Sequence, residues 1–157
     1  MPSQTLTMPN QTSSQSIFLR GLSEAPDDWQ RVGQYDPESI PSVQAEIESL
    51  RTLAPNWDGY GALPIDAAVI DAAKTFIGNL PDDLAFRPHV APLSNGTLQM
   101  EWENVPKSLE LEFVSPHSIR YLQWHPEEGL EEVGRFPVRD IETAADLIRW
   151  CMSEASK

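Results

Sequence analysis

The chain predicts an α+β fold, and three observations carry that prediction. Two segments before residue 80 and one near the carboxy end repeat apolar side chains at helical spacing. Residues 98 to 136 instead alternate apolar and polar side chains with a period of two. The links between the alternating runs are too short for crossover helices, so neighbouring runs must pair antiparallel. The expected architecture is an antiparallel meander of about four strands, with an amino-terminal helical hairpin and a carboxy-terminal helix packed on one face.

Residues 1 to 16, MPSQTLTMPNQTSSQS, hold too few large apolar groups to offset their ordering entropy. A flexible polar tail is expected there, followed by a single domain over 17–157. SIFLRGL (16 to 22) is apolar enough to dock as an edge strand, and the turn-rich run 23–39 offers Trp29 and Tyr35 as anchors. The first helix covers 40–53, with Ile40, Val43, Ile47, Leu50 and Ala54 as one buried stripe. Ser39 is placed to cap it, Pro41 suits its first turn, and Pro55 stops it. The second covers 66–77, capped by Asp66, with Val69, Ile70, Ala73, Phe76 and Ile77 on its apolar face. Gly78 and Asn79 predict a left-handed ending. Pro81, Pro88 and Pro92 predict an extended connection up to residue 96.

After Gly96, TLQMEWE and SLELEF read as a hairpin linked by NVPK. SIRYLQW (118–124) and LEEVGRF (130–136) follow as a third and fourth strand. The last helix spans about 140–152, with Ile141, Ala144, Ala145, Ile148 and Cys151 facing inward. Burying every apolar side chain requires Leu98 opposite Phe113, Met100 opposite Leu111 and Trp102 opposite Leu109. That register sets Glu101 against Glu110 and Gln99 against Glu112, and like charges directly opposed across strands destabilise. Continuing it, Arg120 faces Glu112. Glu101, Glu103 and Glu110 stay unmatched beside an outward Leu122 and Trp124.

Eleven Lys and Arg against twenty-four Asp and Glu leave a net charge of −13. That field disfavours direct nucleic-acid binding and favours a basic or mixed protein surface, while also serving solubility. Cys151 is the only cysteine, so an intrachain disulfide is excluded. The opening residues lack the basic and apolar runs of a signal peptide, and no stretch approaches the roughly 20 apolar residues of a bilayer span. A cytoplasmic setting is expected.

Chemistry finds little support. Paired carboxylates serve as acid and base when a cleft separates their environments, which an open sheet face does not supply. The run HPEEGLEEVG clusters His125, Glu127, Glu128, Glu131 and Glu132 without zinc-helix or calcium-loop spacing. His89 and His117 lie among prolines away from any nucleophile motif, and Cys151 reads as an inert core thiol. No catalytic residue, cofactor or metal is expected.

NWDGYGALP (56–64) joins the two helices. Asn56 and Asp58 can bond backbone N–H groups ahead of them, and Gly59 and Gly61 accept positive φ. Trp57 and Tyr60 are then expected to clamp the helices against the sheet. A rival reading makes them an aromatic pocket with Asp58 as its polar group. This run, the Ala-rich helix after it, LQMEWE, LELEF and AADLIRW together resemble a loose group of small acidic bacterial proteins with an NWDGYGA-type loop and no established activity. The resemblance covers about residues 43 to 151; it implies a bacterial source and transfers no functional residue.

The sequence therefore predicts a non-enzymatic acidic protein-binding module. An adaptor, a regulatory subunit, or an antitoxin-, immunity- or phage-defence-like accessory protein would each fit. Its docking face would comprise Glu101, Glu103, Glu110, Arg120, Leu122 and Trp124, with Trp57, Asp58, Gly59, Tyr60 and Gly61 as a structural loop. The alternative is a small-ligand or metal-binding domain using the 56–62 loop or the 125–132 hairpin tip. An exposed strand edge or the Leu122–Trp124 patch can also support a homodimer.

Overall fold

The computed structural model describes residues 35–154. The predicted tail, the SIFLRGL strand and the Trp29 anchor lie outside the described residues. In chain order the elements are α1 (Ile40–Ser49), α2 (Ala67–Gly78), β1 (His89–Pro92), β2 (Leu98–Asn104), β3 (Lys107–Phe113), β4 (Ser118–His125), β5 (Leu130–Pro137) and α3 (Ile141–Met152). The strands form one antiparallel sheet in sequential order, β1-β2-β3-β4-β5. The α+β class is as predicted.

Two features of the architecture differ from the prediction. The sheet has five strands, because HVAP pairs with β2 as an edge strand. Its flanking Pro88 and Pro92 enforce extended backbone, and a strand with one open side tolerates a missing N–H donor. The amino-terminal helices are also not a tight hairpin. They are separated by a 3-10 turn at Leu50–Thr52 and the loop that follows it.

Helix boundaries show which local signals prevailed. Asp66 caps α2 by accepting from the Ala68 N–H at 2.9 Å, and Asp140 caps α3 by accepting from Thr143 N–H at 3.1 Å. Ser39 does not cap α1 through its side chain. It is already helical in a 3-10 turn, and its hydroxyl donates to the Asp36 carbonyl instead. Ala54 is exposed, beyond the point where Leu53 turns extended, so the buried stripe of this segment closes at Leu50. The predicted left-handed end of α2 is absent: Asn79 has φ −100°, and its N–H returns to the Thr75 and Phe76 carbonyls. Gly78 serves proximity instead, since a Cβ there would come within 2.7 Å of the Gln44 amide nitrogen.

The core lies between the helices and one face of the sheet. Leu98, Met100 and Trp102 of β2 meet Phe113, Leu111 and Leu109 of β3 in the predicted register, and all six are fully buried. Val69, Ile70, Ala73, Phe76 and Ile77 of α2 join them, as do Ala144, Ala145, Leu147, Ile148 and Cys151 of α3. Each large apolar side chain among them contributes about 1.5–3 kcal/mol by leaving water. Phe76 stands edge-on to Phe113 with ring centroids 5.2 Å apart. The Trp102 indole N–H donates to the Phe86 carbonyl at 2.9 Å, satisfying the one polar group that this ring buries. Tyr35 does act as an anchor, packing edge-on against Phe86.

One buried cation holds α3 to the sheet. Lys107 is 5 % exposed, and its Nζ donates to the carbonyls of Trp150 and Ser153, both at 2.7 Å, and to the Ser153 hydroxyl at 3.0 Å. These carbonyls end α3, where the helix has no N–H groups left to offer them and carries partial negative charge. Asn104, its cross-strand neighbour, donates to Cys151 and Ser153 at the same helix end. Lys107→Met is predicted to lower the unfolding free energy by about 2–4 kcal/mol. Urea denaturation measures the loss, and amide exchange should show α3 as the first element to lose protection.

Candidate docking surface

Alternation along each strand sends every second side chain to the face opposite the core. From β1 to β5, one row across that outer face reads His89, Glu101, Glu110, Leu122, Val133. The adjacent rows read Ala91, Gln99, Glu112, Arg120, Arg135 and Glu103, Ser108, Trp124, Glu131. The sheet thus brings all six predicted docking residues to one surface: Glu101, Glu103, Glu110, Arg120, Leu122 and Trp124. The glutamates lie on β2 and β3, and the apolar residues on β4. Trp124 is 46 % exposed and Val133 59 % exposed, and Leu122 between them is half-buried.

The electrostatics of this face are uneven. Glu112 is buried and ion-paired with Arg120 across the strands, as its register requires. Glu101 is not unmatched as the sequence suggested. Gln99 donates to its Oε2 at 2.6 Å, and His89 Nδ1 lies 3.9 Å from Oε1. Both contacts follow from strand geometry: Gln99 stands two residues away on the same face, and the unforeseen β1 delivers His89 directly opposite. Glu103 is exposed. Glu110 differs from the others. Burial, and then the Glu101 carboxylate, push its pKa up to about 7, against the opposing pull of Arg120.

The 56–62 loop is built for shape. Asn56 takes φ 66°, Gly59 φ 80° and Gly61 φ 87°. The Asp58 Oδ1 accepts from the N–H groups of Tyr60 and Ala62, and the Asn56 side chain accepts from Gly61. Trp57 packs on the core and donates its indole N–H to the Leu63 carbonyl at 2.8 Å. Tyr60 is 93 % exposed, so the clamp rests on Trp57 alone. Two positive-φ glycines bracketing Tyr60 turn its side chain outward, which its apolar content could not reveal.

At the hairpin tip, Pro126–Glu128 form a 3-10 turn that Gly129 closes with φ 67°. His125 is buried, with Nε2 3.6 Å from Glu128, whereas Glu127, Glu131 and Glu132 are exposed. Among the described residues no three His, Cys, Asp or Glu side chains converge as a metal site. Burial pushes the Cys151 thiol up to about 12, so no thiolate forms there near neutral pH.

A cleft of about 490 Å³ opens where α2, the β3–β4 turn and the start of α3 meet, lined by Phe76, His117, Val138, Arg139 and Ile141 among others. It contains none of the predicted site residues. Its wall comes from turns whose meeting no local pattern announces. Among the described residues no helix is long and apolar enough to cross a membrane. No protein-family model matches the chain, and the searches of curated proteins and of solved structures returned no match.

Two predictions follow from this geometry. Glu110 keeps its proton in the folded state up to about 7, whereas in the unfolded chain it releases it near 4.5. Between those values the folded state binds more protons, so stability falls as pH rises; the contribution is complete below 4.5 and gone above about 7. Glu110→Gln should remove this decline and raise stability at neutral pH by about 1–2 kcal/mol, allowing for the partial access of water. Chemical denaturation across that pH range reads it. Trp57→Ala should cost about 2 kcal/mol through lost packing and an unpaired Leu63 carbonyl, seen as a lower melting temperature.

Proposed function

We propose that the protein is a non-enzymatic binding module whose outer sheet face docks a second protein presenting Lys or Arg beside apolar side chains. One observation carries the reading. Glu110 sits directly opposite Glu101 with its charged form disfavoured, next to Leu122, Trp124 and Val133 on the same outer face. Burying a carboxylate beside another destabilises the isolated protein, and an incoming cation relieves that cost. The aliphatic stem of the same Lys or Arg covers the adjacent apolar surface. Trp124 supplies the kind of side chain that anchors interfaces, and Glu103 and Glu131 form a charged rim that steers a basic surface.

The net charge of −13 extends the attraction beyond the contact zone and makes it dependent on salt. Adaptor, regulatory-subunit and inhibitor roles, including antitoxin- or immunity-like neutralisation, all use such a surface. The ligand- and metal-binding alternative has weaker support. The loop's polar atoms are engaged by its own backbone, and among the described residues the tip glutamates do not converge as a ligand set.

Co-purification from the native host at physiological ionic strength tests the reading. The wild-type chain should retain a basic protein that Trp124→Ala and Glu101→Gln/Glu110→Gln lose, with circular dichroism unchanged. Identical recovery by the wild-type and variant chains would exclude this face as the docking surface.

A further inference from the structure

We propose that β5 is a self-complementary edge, through which two copies of the chain join their sheets antiparallel about a two-fold axis at Val133. Among the described residues β5 pairs with β4 alone, and it runs for eight residues with Glu131, Glu132, Val133 and Arg135 exposed. The opposite edge, β1, has four residues and lies between prolines, a form that resists further pairing.

The main-chain groups of β5 that have no strand partner among the described residues can be assigned. The Val138 N–H donates to the His117 carbonyl on the β4 side at 3.0 Å. Alternation then turns the main-chain groups of Glu131, Val133, Arg135 and Pro137 away from β4, toward the open side. Pro137, which has no N–H, falls in that set, where an edge tolerates it.

An antiparallel partner that keeps both outer faces on the same side must pair side chains of like orientation. With Val133 on the axis, Glu131 of each copy faces Arg135 of the other, on the outer face beside the Val133 pair. On the inner face Leu130 meets Phe136. Glu132, which accepts from the Tyr121 hydroxyl, meets Gly134, whose inner face is covered by the Tyr121 ring of its own copy. Moving the axis to residue 132 or 134 sets Val133 against Glu131 or against Arg135, and both charge pairs are lost. Arg135 has no carboxylate partner within its own chain among the described residues, and it stands opposite Arg120, so an acid from outside relieves a like-charge contact. Backbone, charge and apolar pairing all select the same register. The edge shares Glu131 and Val133 with the proposed docking face, but sedimentation of the isolated chain reads the edge without any second protein.

Sedimentation velocity across the micromolar range tests it. The wild-type chain should show a reversible dimer. Val133→Pro deletes an N–H that faces the open side, so the fold is kept and the dimer is lost. Glu131→Arg and Arg135→Glu should each weaken the dimer about tenfold, and the double exchange E131R/R135E should restore it. A wild-type chain that stays monomeric, a dimer indifferent to these single exchanges, or a double exchange that fails to recover would each overturn the proposal.

Discussion

The pairing of β2 with β3 is the constraint from which the rest of the molecule follows. Leu98, Met100 and Trp102 alternate with Gln99, Glu101 and Glu103, and Leu109, Leu111 and Phe113 alternate with Glu110 and Glu112. A slip of one residue would carry a complete set of large apolar side chains into water and a set of carboxylates into the core. At about 1.5–3 kcal/mol for each buried side chain, six such residues outweigh a few tenths to one kcal/mol of repulsion between opposed glutamates. Glu101 therefore faces Glu110 because this register gives all six apolar side chains an apolar partner directly across the strands. The opposed acid pair on the outer face is, at the level of folding, a consequence that the chain tolerates.

The distribution of cations shows where that tolerance is relieved internally. Arg51 and Lys74 converge on Glu48 of α1 and hold its carboxyl down to about 2, Arg87 pairs with Glu46, and Arg149 reaches Asp83 and Asp146. These contacts tie helices and turns to one another at partly exposed positions, where each contributes little. Lys107 is consumed by the end of α3. On the outer sheet face, among the described residues, only Glu112 receives a guanidinium, while Glu101 is met by Gln99 and His89 and Glu110 is left to titrate near neutral pH. Among the described residues, most cations secure the architecture, and few remain to neutralise the sheet.

The sheet also has two unlike margins. On the β1 side, short length and flanking prolines limit what can be added, and α1 lies close by. On the β5 side, the strand is twice as long and exposed side chains alternate in charge about a central valine. Midway along the β4–β5 pair, Tyr121 covers Gly134 so closely that a Cβ there would come within 2.6 Å of its ring. The absence of a side chain at Gly134 thus makes room for Tyr121.

The sequence by itself determined the class, the order of most elements, the register of β2, β3 and β4 and the cap at Asp66. Each of these follows from periodicity or from a side chain within a few residues of its target. Five-strandedness, the outward Tyr60, the helical Ser39 and the buried Lys107 were not legible, because each depends on a partner distant in sequence or on φ values in a loop. HVAP is too short to display alternation, and only the open flank of β2 makes it a strand. Lys107 looks like a solvated charge until α3 returns with unpaired carbonyls more than forty residues later. Glu110 is the mixed case: its neighbour was legible from the strand pattern, whereas its elevated pKa needed the packed sheet, since local order is encoded by spacing and desolvation only by tertiary contact.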